Sequence, residues 1–403
     1  MGQEEKNPNK SYIVADVVED ILLRLPLKSI LKCKTVSKQW KSIVESKWFA
    51  ERRMSGQKIR KILATGESRF KGDGDGESEM VYLKCDDVTQ QPFLTCDGLV
   101  CIPVPGWVNV LNPSTGQFLG FPCGPSHNDY TVVVTEVWCN IFPGYWAMGF
   151  GRDQVNGRYK VVRMSFDPNL CHILDVNNGE WRKLSPPPYK IEAIRKSACV
   201  NGSIYWLNLL LRYKILALDL HTEEFRNVQV LPPTLHMVSA QLVNLEDRLA
   251  IADTCVSPEW KLEIWSMDAQ EESWSKTYSI SLSHRVVSEK WWKRWFTPVA
   301  VSKQGSLFFY DNENRLFKYY PETDFLRCLS LDAHVICPYV ENLVSLPLQQ
   351  GCLPTSGYRY GYVDQVPGSR ISAIVRGVES QIPNILLTST LVSLIIFGYK
   401  YCT

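Results

Sequence analysis

Hydrophobic and polar positions along this chain follow two periods, a helical one near the start and a two-residue one over most of the rest. In DVVEDILLRL (16–25) the apolar side chains Val17, Val18, Ile21, Leu22 and Leu25 recur at helical spacing and make one continuous face. Asp16 followed by Glu19 reads as a capping box, the first carboxylate accepting first-turn N–H groups and the second reaching back to the cap. Pro26 then stops the helix, because it lacks an N–H and pushes Leu25 out of the α region. Leu27, Ile30, Leu31 and Cys33 make a second short face, Val36, Trp40, Ile43 and Val44 a third, and Trp48 and Phe49 close the segment. Three or four short helices in about 40 residues bury too little to stand alone. Their apolar faces are expected to complete a core against another protein.

From about residue 93 the period becomes alternation, and one phrase returns five times: VNVLNPSTGQFLGFP (108–122), CHILDVNNGEWRKLSPP (171–187), ILALDLHTEEFRNVQVLPP (215–233), LEIWSMDAQEESWSKTYSI (262–280) and LFKYYPETDFLRCLSL (316–331). Each is a strand, a polar turn and an aromatic that opens a second strand. The aromatics Phe118, Trp181, Phe225, Trp274 and Phe325 are 63, 44, 49 and 51 residues apart, a kelch-sized blade period with an insertion at 123–144 in the first interval. Between the hairpins lie the inner strands of each blade, FLTCDGLVCI (93–102), SACVNGSIYWLNL (197–209), SAQLVNLEDRLAIAD (239–253) and TPVAVSKQGSLFFYD (297–311), with Gly98, Gly202 and Gly305 at tight turns. Residues 80–85 and 333–346 are expected to complete a further blade. The expected fold is mainly β, a propeller of about six irregular blades preceded by a small all-α module. A twisted β-sandwich is the alternative architecture.

Composition sharpens the division. With 45% apolar and 21% charged residues the 403-residue chain is of ordinary globular type, and its net charge of +2 excludes a strongly basic nucleic-acid-binding surface. Residues 1–61 carry 14 Lys/Arg against 7 Asp/Glu, a net of +7, and the remainder 30 against 35, a net of −5. The lysines Lys28, Lys32, Lys34, Lys38 and Lys41 read as a solvated face. Thirteen cysteines, none in a C-x-x-C pair, point to reduced, mostly buried thiols and to no structural zinc. The polar start MGQEEKNPNK is not a signal peptide, and Lys6 stands where a myristoylation pattern wants Ser or Thr, so a cytoplasmic or nuclear setting is expected.

The run VVEDILLRLPLKSILKCKTVSKQWKSIVESKWF (17–49) resembles an F-box, with Val14-Ala15 standing where the motif usually opens on Leu-Pro. By that resemblance Ile21, Leu22, Leu25, Pro26, Leu31, Val36 and Trp40 would meet a Skp-type adaptor, and through it a cullin scaffold. DGLVCI, LNPSTGQF, MGFGRDQVNGRYKVVRM and YVENLVSL resemble the recurring phrases of the F-box-associated domain of plant F-box proteins. The resemblance implies a substrate receptor of a ubiquitin ligase, without catalysis of its own, whose propeller holds an unidentified target protein. The expected division is a disordered start (1–12), an F-box (13–56), a flexible linker with a first strand (57–92), a propeller (93–350) and, outside the resemblance, a C-terminal extension (351–403).

No catalytic residues are indicated. The six histidines make no H-E-x-x-H pair, and neither a G-x-S-x-G elbow nor a phosphate-binding G-x-x-x-x-G-K loop occurs, so no metal or other cofactor is implied. The densest aromatic and basic patch, Lys290 to Phe296, makes Trp291, Trp292, Arg294 and Trp295 candidates for target binding, with Tyr145 and Trp146 on the same rim. Tryptophans packed between blades are the plainer reading of that patch, and an F-box protein whose propeller binds glycan or nucleic acid, or a propeller enzyme, is the alternative function. Nucleic acid is not the expected partner. Residues 380–399 carry no charge and approach the length of a bilayer span, so a membrane contact there is a further alternative.

Overall fold

The computed structural model describes residues 15–56, 61–65, 80–83, 93–104, 107–122, 147–166, 169–191, 196–208, 214–228, 231–232, 235, 240–255, 260–282, 295–331 and 334–347. Four short helices come first: α1 (Ala15–Leu23), α2 (Leu27–Cys33), α3 (Lys38–Val44) and α4 (Lys47–Ser55). Pro26 is the residue on which the chain turns, ending α1's run and standing extended as the N-cap of α2. Ser37 and Ser46 cap α3 and α4, accepting from the N–H groups of Trp40 and Phe49 at 3.1 Å each. The expected capping box is corrected: Asp16 lies inside the first turn of α1, and Glu19 is engaged by Arg52 of α4 at 2.9 Å.

The remainder is β. Two strands, β1 (Lys61–Thr65) and β2 (Met80–Leu83), precede the first blade, β3 (Leu94–Cys96), β4 (Leu99–Val104), β5 (Trp107–Asn112) and β6 (Gln117–Pro122). The second blade holds β7 (Ala147–Arg152), β8 (Tyr159–Phe166), β9 (Asn169–Asp175) and β10 (Glu180–Leu184). The third holds β11 (Ala198–Val200), β12 (Ser203–Asn208), β13 (Lys214–Asp219) and β14 (Phe225–Val228). The fourth holds β15 (Gln241–Leu245), β16 (Arg248–Cys255), β17 (Lys261–Met267) and β18 (Trp274–Ser281). The fifth holds β19 (Phe296–Val301), β20 (Leu307–Asp311), β21 (Leu316–Tyr320) and β22 (Phe325–Ser330), and β23 (His334–Tyr339) follows. Each blade is a four-stranded antiparallel meander in chain order.

About six irregular blades were expected, and this is corrected to a propeller of five. The last sheet has only three strands, in the order β2-β1-β23, and β1 runs parallel to β2 and antiparallel to β23. It joins the two ends of the propeller, because β1 and β23 pack on β19 while Asn342, just beyond β23, bonds to Asp97 between β3 and β4. The insertion expected at 123–144 falls in the connection between β6 and β7, outside the described residues, as do the expectations for 1–12 and 380–399. Among the described residues no helix is long and apolar enough to cross a membrane.

The core lies in the seams between blades. Leu99, Phe121, Phe150 and Val161 fill the first seam, Val162, Ile173, Ile204 and Trp206 the second, and Leu262, Ile264, Phe309 and Phe317 that between the fourth and fifth blades. Strands buried on both faces, such as β7 and β12, carry apolar stretches (AMGFG, IYWL) rather than alternation, whereas outermost strands such as β10 and β18 are half-exposed and polar, which blunts the sheet edges. The recurring aromatic has its reason here. Trp181, Phe225 and Trp274, each at the start of an outermost strand, pack back across the seam toward the preceding blade, and Trp181 Nε1 donates to Pro122 O at 2.8 Å.

Candidate functional site

The helical module hides one side of its apolar faces and shows the other. Val18, Leu22, Leu27, Ile30, Val44 and Phe49 make its buried core. Ile21 and Val36 stand 47% and 62% exposed, next to Pro26 at the surface and to Leu25, Leu31 and Trp40, which are half-buried. Six of the seven side chains named for adaptor contact thus retain accessible surface. Leu22 is the exception, at 0% exposure, and acts in the core. Val17 and Trp48, which belong to the apolar pattern but not to the expected adaptor contacts, are also exposed, at 50% and 67%. A half-turn of α1 and the first turn of α4 carry them, and no periodicity separates an outward Val17 from an inward Val18.

The expectation that this core is completed wholly by another protein is corrected, since Leu343 of the chain's own β region sits within it, 2% exposed. Ion pairs and a hydrogen bond fix the same junction. Glu51 of α4 accepts from Arg152 Nη2 at 2.5 Å, and Lys47 Nζ donates to Asn156 O at 3.0 Å. Arg53 and Lys61 both reach Glu341, at 2.5 and 3.1 Å. The helices therefore seat against one face of the propeller, that of the turns joining first to second and third to fourth strands.

Chain topology places the other connections on the opposite face. There the second strand of each blade turns to the third, and the fourth leads into the next blade. Trp295 is 39% exposed at that face, its N–H donating to Asn312 Oδ1 at 3.4 Å across two such connections. Trp291, Trp292 and Arg294 lie outside the described residues, as do Tyr145 and Trp146.

A pocket of about 670 Å³ opens between the second and third blades, lined by residues including Arg158, Lys160, Trp181, Arg182, His221 and Glu223. Lys160 is nearly buried and donates to Leu220 O at 2.5 Å, Glu223 Oε1 at 2.9 Å and Asp153 Oδ2 at 3.3 Å. Burial pushes the Asp153 carboxyl up, but the N–H groups of Asn156 and Val155 and the Lys160 ammonium outweigh it and hold it below the usual range. Glu223 follows the same pattern, with Arg182 and Lys160 outweighing burial. Both carboxylates stay ionised at neutral pH, as ion-pair partners and not as proton donors. Among the described residues no three His, Cys, Asp or Glu side chains converge as metal ligands would.

Comparison with known proteins agrees with this division. The F-box domain family matches residues 14–52, and the F-box associated beta propeller domain family matches residues 75–324. An F-box/LRR-repeat protein of Arabidopsis thaliana is 57% identical over 87% of this chain and 86% of its own length. An F-box/kelch-repeat protein of the same plant is 50% identical over 100% of this chain and 99% of its own. Among solved structures, a chain of a nidogen/laminin complex aligns at a TM-score of 0.33 and 10% identity, covering 61% of this chain and 99% of that one.

Proposed function

Because the chain belongs to the plant F-box proteins that carry an F-box-associated β-propeller, we propose that it is the substrate-recognition subunit of an SCF-type cullin ubiquitin ligase. The observation that carries this reading is the exposed apolar surface of Val17, Ile21, Val36 and Trp48 on a module whose core is otherwise closed. Large apolar side chains left in water on one small module are candidates for a protein-binding surface, and anchors of this kind dominate interface energetics. A Skp-type adaptor is the partner this module takes in the family. Ile21, Leu25, Pro26, Leu31, Val36 and Trp40 are its contact residues here, and Leu22 supports them from below.

The target is a protein held by the propeller face opposite the helices, where Trp295 stands, and Trp291, Trp292, Arg294, Tyr145 and Trp146 are the further contact residues proposed from the sequence. A target held there is brought near the ubiquitin-charged conjugating enzyme. Proximity alone then raises the encounter rate of its lysines with ubiquitin, without an acid, base or nucleophile from this chain. The test is capture of a recombinant plant Skp-type adaptor by the purified full chain. Leu25→Ala with Pro26→Ala is expected to weaken capture at least tenfold, and undiminished capture would count against the reading.

A further inference from the structure

The stretch after β23, residues 340–347, forms neither strand nor helix, yet hydrogen bonds and ion pairs from distant parts of the chain hold it at several points. Asn342 is fully buried, its side-chain amide donating to Asp97 O at 2.8 Å and Tyr159 Oη at 2.9 Å, and its backbone N–H donating to Ser114 Oγ at 2.8 Å. Asn112 Nδ2 donates to the carbonyls of both Asn342 and Val344 at 3.0 Å, and Leu346 N donates to Gln117 Oε1 at 3.0 Å. Irregular backbone is buried only where such partners exist, and here the β5–β6 turn of the first blade supplies them. Val340 crosses Gly98 so closely that a Cβ at 98 would come within 2.0 Å of Val340 O.

From this anchored backbone two side chains reach the helices. Leu343 enters the helical core beside Val18, Leu22, Ile30, Val44 and Phe49. Glu341 pairs with Arg53, near the end of α4, and with Lys61, at the start of β1, so one carboxylate holds both sides of the 57–60 connection. Arg53 Nη1 also donates to Leu23 O and Leu25 O at 3.1 Å each, satisfying carbonyls that the end of α1 leaves without helical partners.

We propose that residues 340–346 are a latch through which closure of the propeller completes the adaptor-binding module. Glu341 and Leu343 are positioning residues: neither needs to touch the adaptor, and both hold α1 and the Leu25–Pro26 corner in the geometry the adaptor meets. A helical module of about 40 residues is too small to hold that geometry unaided. Since the latch seats only when β23 has joined β1 and the first blade is in place, adaptor capture is confined to chains whose propeller has closed. The adaptor half of this proposal rests on the reading of the helices as an F-box.

The test uses the full chain with Leu343→Ala, Glu341→Gln and Glu341→Asp, read by amide hydrogen exchange and by affinity for a recombinant Skp-type adaptor. Leu343→Ala and Glu341→Gln are expected to speed exchange in α1 and α4 by about tenfold or more, leave β7 to β18 within about twofold, and weaken adaptor binding in parallel. Glu341→Asp, which keeps the charge, is expected to recover most of the loss. If Leu343→Ala also loosens β7 to β18, the Glu341 pair of variants decides. Unchanged exchange in α1 and α4, or adaptor affinity equal to that of the unaltered chain, would overturn the latch. Failure of the unaltered chain to bind the adaptor would instead remove the functional reading, while the exchange measurement still judges the contact.

Discussion

Arg152, the last residue of β7, donates through Nη2 to Glu51 of α4 at 2.5 Å, so the second blade grips the helical module directly. Its guanidinium is almost buried and also lies over the ring of Tyr159, 5.9 Å from the centroid. Arg152→Ala removes the ion pair and the packing together. Because Glu51 is about one-third exposed, part of its charge is rehydrated, and a loss of about 1–3 kcal/mol is expected in urea unfolding. A midpoint unchanged from that of the unaltered protein would show the pair to be incidental.

Gly149 lies beneath Trp206, whose Nε1 donates to Met148 O at 2.9 Å across the seam between the second and third blades. A Cβ at 149 would sit 2.6 Å from Trp206 Cζ2 and 2.8 Å from Ile204 Cγ2. Gly149→Ala is therefore expected to destabilise by about 1–3 kcal/mol through overpacking, lowering the thermal midpoint. A midpoint equal to or above that of the unaltered protein would contradict the tight seam.

Lys160 links the same two blades, and its carboxylate partners predict an acid response. Asp153 and Glu223 have folded-state pKa values below the ordinary 3.8 and 4.5, so the stability they contribute is fully present above those values. As the pH falls below them and through the lower folded values, that contribution is lost. Lys160→Met leaves Asp153 buried without its ammonium partner, is expected to cost about 3–5 kcal/mol at pH 7, and should flatten the decline of stability below about pH 4.5. Unfolding midpoints measured from pH 3 to 7 check both.

Burial pushes the thiols of Cys171 and Cys337 up to about 12. The thiolate is the reactive form, so both should escape iodoacetamide in the folded protein at pH 8 and react once it is unfolded. Peptide mass spectrometry after a timed pulse reads this directly, and rapid labelling of either in the folded state would contradict the burial.

Much of this fold was legible because each of its devices leaves a local mark. Pro26 marks the corner between helices, Gly98 and Gly202 mark hairpins at φ +78° and +80°, and Trp181 and Trp274 mark the seams. β1 was missed because KILAT has no hairpin turn beside it and pairs with β23, some 270 residues away in the sequence. Strands at 80–85 and 333–346 were expected in the last sheet and stand there as β2 and β23, but that sheet has three strands and not a blade's four, so the count of about six falls to five. Of the candidate adaptor contacts, Ile21 and Leu22 are neighbours of equal hydrophobicity, and only the packed helices tell the outward one from the inward one. The role of Glu341 was illegible, because its partners Arg53 and Lys61 are close only in space.

The most direct test of the adaptor surface is the affinity of the full chain for a recombinant plant Skp-type adaptor, by isothermal titration calorimetry, with Ile21→Asp and Val36→Asp combined. Both side chains are about half or more exposed, so the double variant is expected to keep its unfolding free energy within about 0.5 kcal/mol. Buried in an interface, two new carboxylates should weaken binding by at least about a hundredfold. A stable double variant that binds as tightly as the unaltered chain would contradict the assignment of this face to the adaptor.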